Sequence, residues 1–156
     1  MSSPSERLRE LGLTLPPVAA PVAAYVPAVR TGNLVYTSGQ LPFVAGELPG
    51  TGKVGDAITL DEAVEQARHA TLNALAAAAE QAGGLDAITR VLKLTVFVAS
   101  SPFFTEQPKV ANGASLLLGE IFGAAGDHAR SAVGVSALPL DAAVELGRGA
   151  AAERSQ

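Results

Sequence analysis

The run Ile88-Thr89-Arg90-Val91-Leu92-Lys93-Leu94-Thr95-Val96-Phe97-Val98 decides how the chain is read. Its β-branched and aromatic content predicts a long strand. Side chains of a strand alternate between faces, so Leu92, Leu94, Val96 and Val98 form one apolar face, with Lys93 and Thr95 on the other. An apolar sheet face needs a cover, and helices flank the run in the chain. Upstream, Thr59-Leu60-Asp61-Glu62 has the form of a capping box. That helix is expected to reach Ala82, where Gly83-Gly84 stop it. Leu60, Val64, Ala67, Thr71, Ala74, Leu75 and Ala78 lie on one stripe at helical spacing. The stripe is mostly alanine, so the helix can sit close to a sheet. Downstream, a helix is predicted from Gln107 to Phe122, with Pro108 near its start and Gly123 at its end.

Further out, Ser3-Pro4-Ser5-Glu6 reads as another capping box, and Gly12 ends a short helix. A proline-rich extended segment continues to about Ala24. Two short strands, around Tyr25–Val29 and Asn33–Thr37, form a hairpin about Thr31-Gly32. Residues 41–58 form a long glycine- and proline-rich loop. Arg130 to Ala137 is a strand, Leu138-Pro139-Leu140-Asp141 a turn, and Ala142 to Leu146 a last strand. The order helix, β, β, α, β, α, β, β predicts an α+β fold, a mostly antiparallel sheet with two main helices on one face. It divides into an N-terminal helix and arm (1–24), a single domain (25–146) and a polar tail (147–156).

The 156 residues are 48% apolar and 17% charged, which suits one folded domain. Eleven Lys and Arg stand against fifteen Asp and Glu, for a net charge of −4 and no basic run. Nucleic-acid binding is therefore not expected. With no cysteine, the chain has neither disulfides nor thiolate chemistry. Its start is polar, and the apolar stretch Leu15–Val29 is broken by Pro16, Pro17, Pro21 and Pro27. No membrane association and a cytoplasmic location are expected.

Gly50-Thr51-Gly52-Lys53-Val54-Gly55 matches G-x-G-x-x-G, but no strand precedes it and no helix opens on it, so a flexible loop is the expected reading. His69 and His128 are far apart and make no metal motif; His69 is expected on a helix surface and His128 in a loop. Arg130 stands out. If Val133 and Val135 face the helices, Arg130, Ala132 and Gly134 share the opposite face, one guanidinium among very small side chains. A guanidinium grips a carboxylate through two parallel hydrogen bonds. Capture of a ligand carboxylate and pairing with a structural one stand level on these residues. If Pro139-Leu140 closes a two-residue hairpin, Glu145 pairs with Gly134 and shares the Arg130 face, about 13 Å away at ~3.3 Å per residue.

Four stretches in this order resemble the RidA family (YjgF/YER057c/UK114). They are Tyr25-Val-Pro-Ala-Val-Arg-Thr-Gly-Asn-Leu-Val-Tyr-Thr-Ser-Gly-Gln40, Gly52-Lys-Val-Gly55, Val91-Leu-Lys-Leu-Thr-Val-Phe-Val98 and Arg130-Ser-Ala-Val-Gly-Val-Ser-Ala-Leu-Pro139. Val144-Glu145 follows at the family's spacing. Coverage runs from about Tyr25 to Leu146, and the chain looks most like a longer, divergent branch. The resemblance implies a chorismate-mutase-like fold and a homotrimer with an inner barrel of sheets and clefts between subunits. It also implies a deaminase of the 2-iminobutanoate/2-iminopropanoate type. Such an enzyme hydrolyses reactive 2-aminoacrylate-type enamines and imines to 2-oxo acids and ammonia without a cofactor. By position, Arg130 would hold the substrate carboxylate and the Gly39 backbone would help fix it. Tyr25 would close the cleft from a neighbouring chain, and Glu145 would orient or activate water. The family's helical asparagine falls on Ser115 when measured back from Phe122, and on Asn112 with a shift. Ala132 stands where cysteine is frequent, and the run from Gly147 predicts a shortened last strand. A non-catalytic trimer binding a small carboxylic metabolite is the alternative; a nuclease fits the charge poorly.

Overall fold

The computed structural model describes residues 2–18, 20 and 24–153. The expected extended arm across residues 19 and 21–23 and the last three residues of the expected tail lie outside the described residues. Helix α1 spans Pro4–Glu10, followed by strands β1 (Ala28–Thr31) and β2 (Leu34–Thr37). Helix α2 (Leu60–Ala82), strand β3 (Ile88–Ala99) and helix α3 (Gln107–Phe122) come next, then β4 (Ala129–Val135) and β5 (Val144–Ala152). The helix limits follow from local chemistry. Ser3 and Glu6 form a reciprocal capping box. The Thr59 hydroxyl accepts from the Glu62 amide, and Gly83 closes α2 in the left-handed region at φ 94°. Arg30 donates to the last carbonyls of α2, Gln81 O and Ala82 O, where a cation meets the negative end of the helix dipole.

The five strands form one sheet in the order β1-β2-β5-β3-β4. β1–β2, β2–β5 and β3–β5 are antiparallel, while β3–β4 is parallel. A parallel neighbour needs a crossover, and α3 supplies it. Leu94, Val96 and Val98 are fully buried in one core with Ala67, Ala70 and Ala74 of α2 and Leu117, Leu118 and Ile121 of α3. The helices come close because Gly113 lies against Val64, whose carbonyl oxygen a Cβ there would strike.

Four expectations are corrected. A register shift between Val91 and Lys93 inserts an extra residue into β3. It buries Val91 and leaves Leu92 only half-buried, because a bulge interrupts the alternation of faces. Pro139-Leu140 does not close a hairpin. A short 3-10 turn at Pro139–Asp141 carries the chain past β3, and β5 enters between β2 and β3. The faces of β4 are inverted: Arg130, Ala132 and Gly134 are opposite Leu94, Val96 and Val98 and share their helix-covered face. Val133 stands on the bare face, 44% exposed. Finally, β5 is not shortened. It runs to Ala152, so residues 147–152 belong to the sheet and not to a tail. Pairing along both edges satisfies a backbone whose residues have poor strand propensity, and small side chains suit the space beneath an alanine-rich helix.

Candidate functional site

Two clusters gather the polar side chains. The first lies where α3 crosses the edge of the sheet. Asn112 and Ser115, three residues apart, share a face of the helix. Arg130 Nη1 donates to Asn112 Oδ1 at 2.8 Å and to Ser115 Oγ at 3.2 Å. Those two contacts use both hydrogens of Nη1. Nε and Nη2, the side-on fork of the guanidinium, have no acceptor among the described residues, and Arg130 is partly open to solvent. Behind it, Ser115 Oγ lies 2.9 Å from His128 Nε2, and His128 Nδ1 lies 2.6 Å from Gly126 O. This cluster is built to fix a cationic fork and present its free edge.

The second cluster lies at the other side of β3. Gln40 and Leu146 exchange backbone hydrogen bonds of 2.7 and 3.0 Å, which bring Gly39 against Glu145. A Cβ on Gly39 would lie 2.8 Å from Glu145 Cδ, so only glycine leaves that carboxyl its place. Tyr25, Gly39, Phe43, Leu140 and Glu145 line a cavity of about 270 Å³. Burial pushes the Glu145 carboxyl above its usual range. A carboxyl that keeps its proton more readily, beside an apolar pocket, is suited to exchange protons with water or a leaving group.

Within one chain the clusters do not meet. Arg130 is opposite Leu94 on the helix-covered face; Glu145 is opposite Phe97 on the bare face. The expectation that they share a face is therefore corrected. The cause is register: through Phe97, Glu145 falls in the row of Val133 and not of Gly134, and β3 stands between β4 and β5. Of the residues singled out in the sequence, Tyr25, Gly39 and Glu145 come together, and Arg130 and Ser115 come together. Asn112 and Ser115 both reach Arg130, so the two readings of the helical position are both occupied. His128 lies in a loop, as expected, and is also the inner end of the Arg130 cluster. The glycine run 50–55 is a packed turn: Gly52 N donates to Asp141 O and Lys53 Nζ to Ser136 O. Among the described residues no three His, Asp or Glu side chains converge as metal ligands. None of the described helices is long and apolar enough to cross a membrane.

Residues 5–146 match the family described as "YjgF/chorismate_mutase-like, putative endoribonuclease". The chain belongs to this YjgF (RidA) family. Protein TCP17 of Trypanosoma cruzi is 47% identical over 142 residues, 89% of this chain and 88% of that one. A crystal structure described as "a putative endoribonuclease" from Shewanella oneidensis superimposes with a TM-score of 0.92 at 36% identity, covering 96% of this chain and 99% of the other. E. coli TdcF with bound serine is more distant: TM-score 0.63, 27% identity, 90% of this chain and 94% of that one. The mixed α+β architecture is that of the YjgF fold.

Proposed function

We propose that the protein is a homotrimeric enamine/imine deaminase that hydrolyses small 2-imino acids to 2-oxo acids and ammonia. In this reading the two clusters complete one cleft across a subunit boundary. Arg130, with its free Nε–Nη2 edge, holds the substrate carboxylate. Gly39, Tyr25 and Glu145 of the neighbouring copy form the opposite wall, and Glu145 directs the attacking water. The observation that carries the reading is Arg130, a guanidinium whose one nitrogen is saturated by Asn112 and Ser115 while its fork stays free. The bare sheet face supports the assembly. Val29, Tyr36 and Val133 are about half exposed there without a covering layer, as expected of a face that packs on other copies. That a distant relative holds serine, a small amino acid with a carboxylate, suits the same ligand class.

The chemistry asks little of the protein. Water adds to the electrophilic imine carbon and gives a proton to a base. The nitrogen is protonated, the carbon–nitrogen bond breaks, and the 2-oxo acid and ammonia leave. Imines hydrolyse unaided, so fixing the carboxylate and aiming one water supply the needed acceleration. The nuclease activity in some relatives' names finds no basic stripe in a chain of pI about 5.1.

The test generates a 2-imino acid with an amino-acid oxidase and traps what survives with semicarbazide. Wild-type protein is expected to lower the trapped imine. Equal hydrolysis by Arg130→Ala would remove Arg130 from the mechanism. Tight 2-oxo acid binding without turnover of any imine would instead favour the carboxylate-binding alternative.

A further inference from the structure

We propose that His128 is a positioning residue for carboxylate capture, acting through Ser115 on Arg130 and making that capture pH-dependent. This rests on the reading of Arg130 as a carboxylate clamp.

The hydrogen bonds among these groups have one consistent direction. Gly126 O can only accept, so His128 Nδ1 carries the proton of the 2.6 Å contact. In a neutral imidazole Nε2 is then an acceptor, and the Ser115 hydroxyl, 2.9 Å away, donates to it. The Ser115 lone pairs are thereby turned to Arg130, which can only donate, at 3.2 Å. A backbone carbonyl thus orients an imidazole, the imidazole a hydroxyl, and the hydroxyl a guanidinium. Without His128 the hydroxyl is free to rotate, and Arg130 loses a fixed acceptor.

Protonation of His128 reverses one link. Nε2–H then donates to Ser115 Oγ, which still accepts from Arg130, and the hydroxyl proton turns to another acceptor. A second cation now stands two hydrogen bonds behind the first. The surrounding charges do not bond to the imidazole. On α3, Glu120 is turned to Arg68 of α2 and Lys109 is paired with Glu106. Lys93 of β3 donates to Ser131 on the bare face, Arg7 of α1 lies at Gly123, and Asp127 is exposed beside His128. Once the imidazole is protonated, an anion on Arg130 therefore gains attraction.

The experiment is calorimetric titration with pyruvate, a monoanion throughout, between about pH 5.5 and 8. Wild-type affinity is expected to rise about two- to tenfold toward the acid end, the order that one added charge behind the clamp gives at intermediate to high dielectric. His128→Gln keeps a neutral acceptor near the Nε2 position, so it should bind as wild type does at pH 8 and lose the rise. Ser115→Ala and His128→Ala should bind more weakly at every pH. Nitrogen-15 spectra of the wild type should show the Nδ1-protonated tautomer at pH 8. A full rise in His128→Gln, or an Nε2-protonated tautomer, overturns the proposal while the Arg130 reading stands. No pyruvate binding by wild type at any pH overturns the Arg130 reading itself.

Discussion

Arg130 and Arg148 flank the same leucine. One pairs with Leu94 from β4, the other from β5, and both lie on the helix-covered face of the sheet. Their surroundings differ completely. Arg130 stands on the edge strand, partly open, anchored by Asn112 and Ser115. Arg148 stands on an inner strand, 4% exposed, and Nε, Nη1 and Nη2 all lack a hydrogen-bond partner among the described residues. Burial lowers its pKa to about 10. The guanidinium has lost its hydration without gaining an acceptor among the described residues, which costs stability. One strand of displacement converts a usable cation into a stability burden, because only the edge offers polar anchors and access.

The largest expected effect tests the usable arginine. Arg130→Ala should lower imine hydrolysis about 100-fold or more, and Arg130→Lys should not restore it, since an ammonium keeps the charge but not the fork. Full rescue by lysine would reduce Arg130 to a point charge. Next in size, subunit mixing tests the composite cleft. Arg130→Ala and Glu145→Ala proteins, each inactive, should recover about a quarter of wild-type activity when assembled together at equal amounts, because each cleft draws on two neighbouring chains. No recovery would overturn the composite cleft.

Arg148 offers the converse test. Its cost applies at every pH below about 10 and is relieved only as the pH rises above that value, where the folded chain can shed the proton. Arg148→Met, similar in length and apolar, should therefore raise Tm by about 6–10 °C at pH 7 and leave pyruvate binding unchanged. A lower Tm would mean that Arg148 has a partner in the assembled protein. The smallest effect concerns Glu145. Its folded carboxyl holds a proton more tightly than the unfolded chain does. Its contribution to stability is thus greatest below the unfolded value and declines as the pH rises through the folded one. Glu145→Gln should match wild type in urea unfolding near about pH 3.5 and exceed it slightly at pH 7.

The helices were legible because local signals set them. The Ser3–Glu6 box, Thr59, Gly83-Gly84, Pro108 and Gly123 act within a turn of the residues they govern; α1 starts, and α2 and α3 start and end, where these signals place them. β5 was not legible beyond Leu146. Gly147-Arg148-Gly149-Ala150-Ala151-Ala152 carries no β-branched residue, and it is a strand because β2 and β3 pair with it on both sides. Leu92 escaped for the same kind of reason, since a bulge is set by the partner's register and not by the strand's own alternation. At the site, Arg130, Glu145, Gly39 and Tyr25 could be picked out by family pattern. Spacing favoured Ser115, and Asn112 needed a shift; one turn of helix brings both to the same guanidinium.

By itself the sequence determined the helices, the long apolar strand β3 and the residue types available for holding a carboxylate. Those depend on neighbours a few positions apart. Tertiary structure alone decided that β5 crosses to the far side of β3, that Arg130 and Glu145 occupy opposite faces, and that His128 stands behind Ser115. Each of these is a contact between residues distant in the chain, and alternation within one strand carries no information about which edge it will join.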